Sequence, residues 1–77
     1  MVSTDKSFIV FREKLGRKIQ KLRESKGYTQ EELAYLLDMD RVSVGYIEQG
    51  RRSPKLSTLH AISKILDISV SDIFKTL

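Results

Sequence analysis

Apolar residues recur at spacings of three and four along most of the chain, the period of helices packed on a core. Phe8, Phe11, Leu15, Ile19 and Leu22 form the first such stripe and predict a helix from Asp5 or Ser7 to about Lys26. Gly27 ends it in the left-handed conformation that helices often use as a stop, and Lys26 in the last turn suits the helix dipole. Thr29-Gln30-Glu31-Glu32 has the form of a capping box and opens a second helix. Leu33, Ala34, Leu36 and Leu37 are expected to face inward there, with Asp38 as the turn residue, since aspartate tolerates positive φ better than most residues. A third helix runs from its cap at Asp40 to Gln49, with Gly50 after it. Beyond the loop Arg51-Arg52-Ser53-Pro54-Lys55, a fourth helix from Leu56 or Ser57 to Leu66 turns Leu56, Leu59, Ile62, Ile65 and Leu66 inward. Ser69 and Asp72 cap a short fifth helix carrying Val70, Ile73, Phe74 and Leu77. No period-2 alternation is present, so the fold class is all-α: five helices in one domain over residues 1–77. Residues 1–6 are expected to be a flexible tail, and residues 67–77 contain the fifth helix.

The third helix has two stripes. Val44 and Ile47 face the core, while Val42, Gly45, Tyr46 and Gln49 follow the same i, i+3, i+4, i+7 rule on the other side. A glycine inside a helix is unfavourable by ~1 kcal/mol relative to alanine, so the second stripe calls for an explanation outside the core. Helices two and three are separated by a turn of about three residues, the spacing of a helix-turn-helix. That crossing needs a small Ala34 and apolar Leu33, Val44 and Ile47, and all four are in place.

Charge narrows the field of partners. The 77 residues carry 14 Lys and Arg against 10 Asp and Glu, a formal charge of +4, and the pI is about 9.6. A small basic domain favours a polyanionic partner, with nucleic acid first among them. There is no cysteine, which excludes disulfides and thiolate metal sites and fits a reducing compartment. The polar start MVSTDKS is unlike a signal peptide, and no apolar run approaches the ~20 residues of a membrane span. A cytoplasmic protein without membrane contact is therefore expected. His60 is the single histidine, so no metal site or catalytic triad forms around it, and it is expected to be partly exposed. Ser43, Ser57, Ser63, Glu31 and Glu32 have capping or surface roles and lack a general-base partner. Neither an enzyme nor a cofactor is expected.

The stretch L-R-E-S-K-G-Y-T-Q-E-E-L-A (Leu22 to Ala34), then Val44, then I-E-Q-G-R-R-S-P (Ile47 to Pro54), resembles the Cro and phage-repressor family (lambda-repressor-like, XRE) of DNA-binding domains. The likeness covers roughly Leu15 to Phe74. Asp38 departs from it, because the family usually has glycine in that turn. Within the family, A-Y-x-x-D-x-D-R (Ala34 to Arg41) is most similar to the controller proteins of restriction–modification systems, with phage Cro-type repressors close behind.

The resemblance implies that the outer face of the third helix enters the major groove of double-stranded DNA, with Arg41, Val42 and Tyr46 at the base-reading positions. Arg41 suits guanine O6 and N7 and Val42 a thymine methyl; Tyr46 has either a base or a phosphate within its reach. Gly45 lets the backbone approach closely, and Ser43 is a phosphate contact. The family places a phosphate on Gln30, at a helix N-terminus where amides favour anions, with Thr29 assisting. Arg51, Arg52 and Lys55 are expected across the groove, fixing register rather than reading sequence. The family also pairs Arg23 with Glu48 as a partly buried structural ion pair, expected to orient the Arg23 fork and the loop after Gly50. Arg12, Lys14, Arg17, Lys18, Lys21 and Lys26 are read as a solvated basic face, and Tyr35 as surface or interface.

One such domain covers one half-site, so a homodimer on a pseudo-palindromic operator with half-sites ~34 Å apart is expected. Its interface is assigned to Ile68, Val70, Ile73, Phe74 and Leu77 of the fifth-helix region, against the alternative that these only close the core. The function expected is a transcriptional regulator that blocks or recruits RNA polymerase. The competing class is a protein-interaction module of antitoxin type, in which Val42 and Tyr46 would pack against a protein partner.

Overall fold

The computed structural model describes residues 5–77, which form five helices and, among those residues, no strand. They are α1 (Lys6–Ser25), α2 (Gln30–Leu36), α3 (Arg41–Glu48), α4 (Leu56–Ile65) and α5 (Val70–Phe74). Four of the five N-termini are set by a side chain that accepts from the amide three residues on: Asp5, Thr29, Asp40 and Ser69. At Thr29 the bonds are reciprocal, Glu32 N–H to Thr29 Oγ1 at 3.0 Å and Thr29 N–H to Glu32 Oε1 at 2.8 Å. Only α4 starts without one, at Lys55. Of the expected tail, residues 1–4 lie outside the described residues; Asp5 and Lys6 do not belong to it, since Asp5 caps α1 and Lys6 begins it.

Two apolar clusters hold the helices. Leu15, Ile19, Ile47, Leu59, Ile62, Leu66 and Ile73 form the larger, and Leu33, Ala34 and Val44 form the smaller at the α2–α3 crossing, with Leu37 and Ile65 packed on both. Leu33 is fully enclosed and Ala34 nearly so, as the crossing requires. Asp38 occupies the left-handed region at φ 57°, as does Asp67 between α4 and α5 at φ 54°; the second of these carried no signal among the turn residues considered.

Two expected core residues face outward. Leu36 is 48 % exposed and Leu56 80 %. Each stands at the end of a short helix, where the neighbouring element no longer covers the stripe. Phe11 is likewise on the rim, stacked on Phe74 with ring centroids 5.8 Å apart.

A close backbone approach joins α1 to α3. A Cβ on Gly16 would collide with the carbonyl oxygens of Ile47 and Glu48, the latter at 2.5 Å. Gly50 is under a double restriction, with φ +75° and the Glu13 backbone 2.6 Å from where a Cβ would stand. Arg12 Nε donates to the Gly50 carbonyl at 2.6 Å, while the guanidinium lies over the Phe8 ring. Arg12 is therefore a fastening between α1 and the loop, not part of the solvated basic face. By contrast Lys14, Arg17 and Lys21 are exposed as expected, and Lys18 donates to Thr76 Oγ1 at 2.8 Å.

Candidate nucleic-acid interface

The α1–α3 contact and the α2–α3 crossing leave one side of α3 uncovered. Arg41 is exposed and Val42 is 49 % exposed, so both project from the first turn of α3, clear of the core. Asp40 Oδ1 accepts from Ser43 N–H at 2.7 Å. That bond, then the side-chain bond with Ser43 and the nearby Arg52 charge, hold the Asp40 carboxyl below its ordinary value of 3.8. Capping thus occupies Asp40, and the residues that follow it carry the outer surface.

Behind that surface runs a hydrogen-bonded chain that begins in the core. Arg23 and Glu48 are buried and paired through two parallel bonds, Nε to Oε2 at 2.7 Å and Nη2 to Oε1 at 3.0 Å. Such a bidentate fork is the strong form of the pair, and Glu48 keeps the Arg23 pKa raised. The remaining arm of Arg23, Nη1, donates to the Tyr28 carbonyl at 2.7 Å. Gln30 Nε2 donates to Glu48 Oε1 at 2.9 Å, which turns the amide oxygen of Gln30 outward, where it accepts from Arg41 Nη1 at 3.1 Å. The ion pair expected between Arg23 and Glu48 is present, but it orients the α1–α2 turn and Gln30. The loop after Gly50 is held by Arg12 instead. No buried polar side-chain atom among the described residues lacks a partner.

Gly45 is buried, and a Cβ there would meet the Gln30 amide at 4.0 Å, an ordinary van der Waals contact, so packing within the subunit does not demand glycine at this position. Tyr46 is half-buried, with the guanidiniums of Arg51 and Arg52 over its ring. Ser43 Oγ accepts from Arg52 Nη1 at 3.0 Å. Thr29, Arg51, Arg52 and Lys55 are all exposed. The structure therefore brings Gln30 to Arg41 and, in a second set of contacts, Ser43 and Tyr46 to Arg52 around α3. The linkage through Gln30 was not visible in the spacing, because it joins residues 18 and 11 positions apart.

The residues assigned to a dimer interface divide. Ile73 is fully enclosed in the subunit's own core, which withdraws it from any interface. Ile68, Val70, Phe74 and Leu77 are half-buried. Beside Phe74 an apolar groove is lined by Phe8, Phe11, Leu15, Pro54 and Leu56.

A five-helix domain whose second and third helices cross at a short turn, leaving the outer side of the third exposed, is a helix-turn-helix domain. The chain belongs to the HTH_3 family, described as helix-turn-helix, whose model matches residues 19–73. It is similar to the control protein C.MunI of Mycoplasma sp, 39 % identical over 62 residues, covering 79 % of this chain and 84 % of that protein. It is also similar to the SPbeta prophage-derived regulator YonR of Bacillus subtilis (strain 168), 38 % identical over 60 residues; these cover 78 % of this chain and 56 % of YonR, so the match spans about half of that relative. Among solved structures, the restriction-modification controller protein C.AhdI from Aeromonas hydrophila superposes with a TM-score of 0.80 at 35 % identity, covering 84 % of this chain and 98 % of that one. Among the described residues no helix is long and apolar enough to cross a membrane.

Proposed function

We propose that this protein is a sequence-specific, double-stranded DNA-binding transcriptional regulator that inserts α3 into the major groove. The observation that carries this reading is the exposed first turn of α3, with Arg41 held outward by Gln30 and with Arg51, Arg52 and Lys55 exposed beyond the helix. Arg41 reads a base edge, Val42 packs on a thymine methyl, and Gln30, Thr29, Ser43 and Lys55 contact phosphate. Similarity to C.MunI and C.AhdI supports a role as a restriction–modification controller, and that to a prophage regulator keeps a phage-type repressor in view. The protein acts as a homodimer on two half-sites. The half-buried Ile68, Val70, Phe74 and Leu77 supply the interface, which Leu56 extends across the adjoining groove. Regulation is by occupancy in the cytoplasm, blocking or recruiting RNA polymerase according to where the operator lies, and needs no catalytic step.

The test is selection from a random duplex pool followed by affinity measurement at several salt concentrations. The wild type should enrich a defined, two-fold-related sequence, with log affinity falling against log salt by ~0.9 per phosphate contacted. Arg41→Ala should lose ~1–3 kcal/mol and relax the preference at one base pair per half-site. An antitoxin-type interaction module would show no enriched sequence and no effect of Arg41→Ala on DNA.

A further inference from the structure

Tyr46 stands at a base-reading position by its place on the helix, yet its surroundings are cationic. The Cζ of Arg51 lies 4.7 Å from the ring centroid and that of Arg52 5.3 Å, both within the ~6 Å over which a guanidinium is attracted to an aromatic face. The backbone roots one of them beside the ring, since Arg51 N–H donates to the Tyr46 carbonyl at 2.9 Å. The other is fixed by its side chain, since Arg52 Nη1 donates to Ser43 Oγ at 3.0 Å. Neither guanidinium has a salt-bridge partner among the described residues. The nearby acid, Asp40, caps the Ser43 amide and lies close enough to Arg52 to feel its charge, but forms no salt bridge with it.

Two like charges gathered on one ring and one hydroxyl, with no carboxylate in salt-bridge contact with either, form an arrangement that a further anion would complete. A guanidinium fork matches the geometry of a phosphate. A ring overlaid by guanidiniums is also poorly free to stack on a base or on a thymine methyl. We propose that Tyr46 is a positioning residue that holds Arg51 and Arg52, with Ser43, as a clamp for one backbone phosphate, and that base reading by α3 is confined to Arg41 and Val42. This rests on the DNA-binding reading above and assigns roles within it.

The test uses the full chain, the duplex it selects, and an unrelated duplex of equal length. Tyr46→Phe keeps the ring and should keep both affinities within about three-fold, because the aromatic face rather than the hydroxyl holds the cations. Tyr46→Ala should weaken both duplexes by the same factor, on the order of ten-fold, and make the salt slope shallower by about 1, with every base preference unchanged. In an Arg51→Gln, Arg52→Gln background, Tyr46→Ala should remove nothing further. A changed preferred base in Tyr46→Phe or Tyr46→Ala, or an undiminished loss in the double-glutamine background, overturns the assignment. Circular dichroism checks folding. If Tyr46→Ala does not fold, the decision falls to base preference in Tyr46→Phe and to the salt slope of the Arg51→Gln, Arg52→Gln protein, which must itself flatten. Absence of salt-sensitive DNA binding by the wild type defeats the DNA-binding reading itself; normal wild-type binding with a base shift in Tyr46→Phe defeats only the clamp.

Discussion

Gly16→Ala is expected to destabilise the domain. In an open helix the same change would stabilise by ~1 kcal/mol, and here two effects compete. The added methyl meets the carbonyl oxygens of Ile47 and Glu48, backbone atoms of the neighbouring helix that no rotamer change can move aside. Relief therefore requires α3 to shift away from α1, at the ~1–3 kcal/mol of ordinary overpacking or above it, and the shift also stretches the Arg23–Glu48 fork. A backbone collision that no side chain can relieve puts the cost at or above the top of that range, so it outweighs the propensity gain and draws on the ~4–12 kcal/mol of total stability of a chain this long. Urea unfolding followed by helicity measures it. The midpoint should drop steeply for Gly16→Ala and stay nearly unchanged for Lys14→Ala, whose side chain is exposed on the same helix. A raised midpoint for Gly16→Ala would mean that α1 and α3 are not in backbone contact.

Arg23→Met should be about as damaging, for a different reason. The substitution keeps the apolar stem but leaves the buried Glu48 carboxylate with Gln30 alone, and one-sided removal of a buried pair usually destabilises by ~3–5 kcal/mol. Removing both charges, as Arg23→Met with Glu48→Leu, should recover most of that stability, because the uncompensated charge is the main penalty. The recovered protein should still bind DNA more weakly than wild type, since Gln30 then lacks the acceptor that turns its amide oxygen toward Arg41. Thermal melts of the three proteins with parallel DNA titrations separate the two effects. Equal stability of Arg23→Met and wild type would show that the pair is solvated and contributes little.

Local features of the chain were legible in its sequence. The caps at Thr29, Asp40 and Ser69 act through atoms three residues away, so the residue types that form them are visible together. The stripes of α1, α3 and α4 locate the core because a helix repeats its buried face, and Asp38 was recognisable as a turn residue. What stayed hidden depends on distant partners. Gly16 reads as an ordinary helical glycine until α3 is laid across it. Leu36 and Leu56 obey the helical period but lie beyond the reach of the next element. Gln30 has one meaning as a helix N-terminal residue and another once Glu48 and Arg41 stand on either side of its amide. Ile73 fits an interface and a core equally well in sequence, and only the packing of α5 on α1 and α4 decides between them.

The central claim, that α3 and its flanks rather than the basic side of α1 meet DNA, is tested most directly by amide chemical shifts of the labelled protein during titration with its selected duplex. Shifts should concentrate at Thr29 and Gln30, at Arg41 to Tyr46, and at Arg51 to Lys55. Perturbations centred instead on Lys14, Arg17 and Lys21, with the first turn of α3 unmoved, would contradict it.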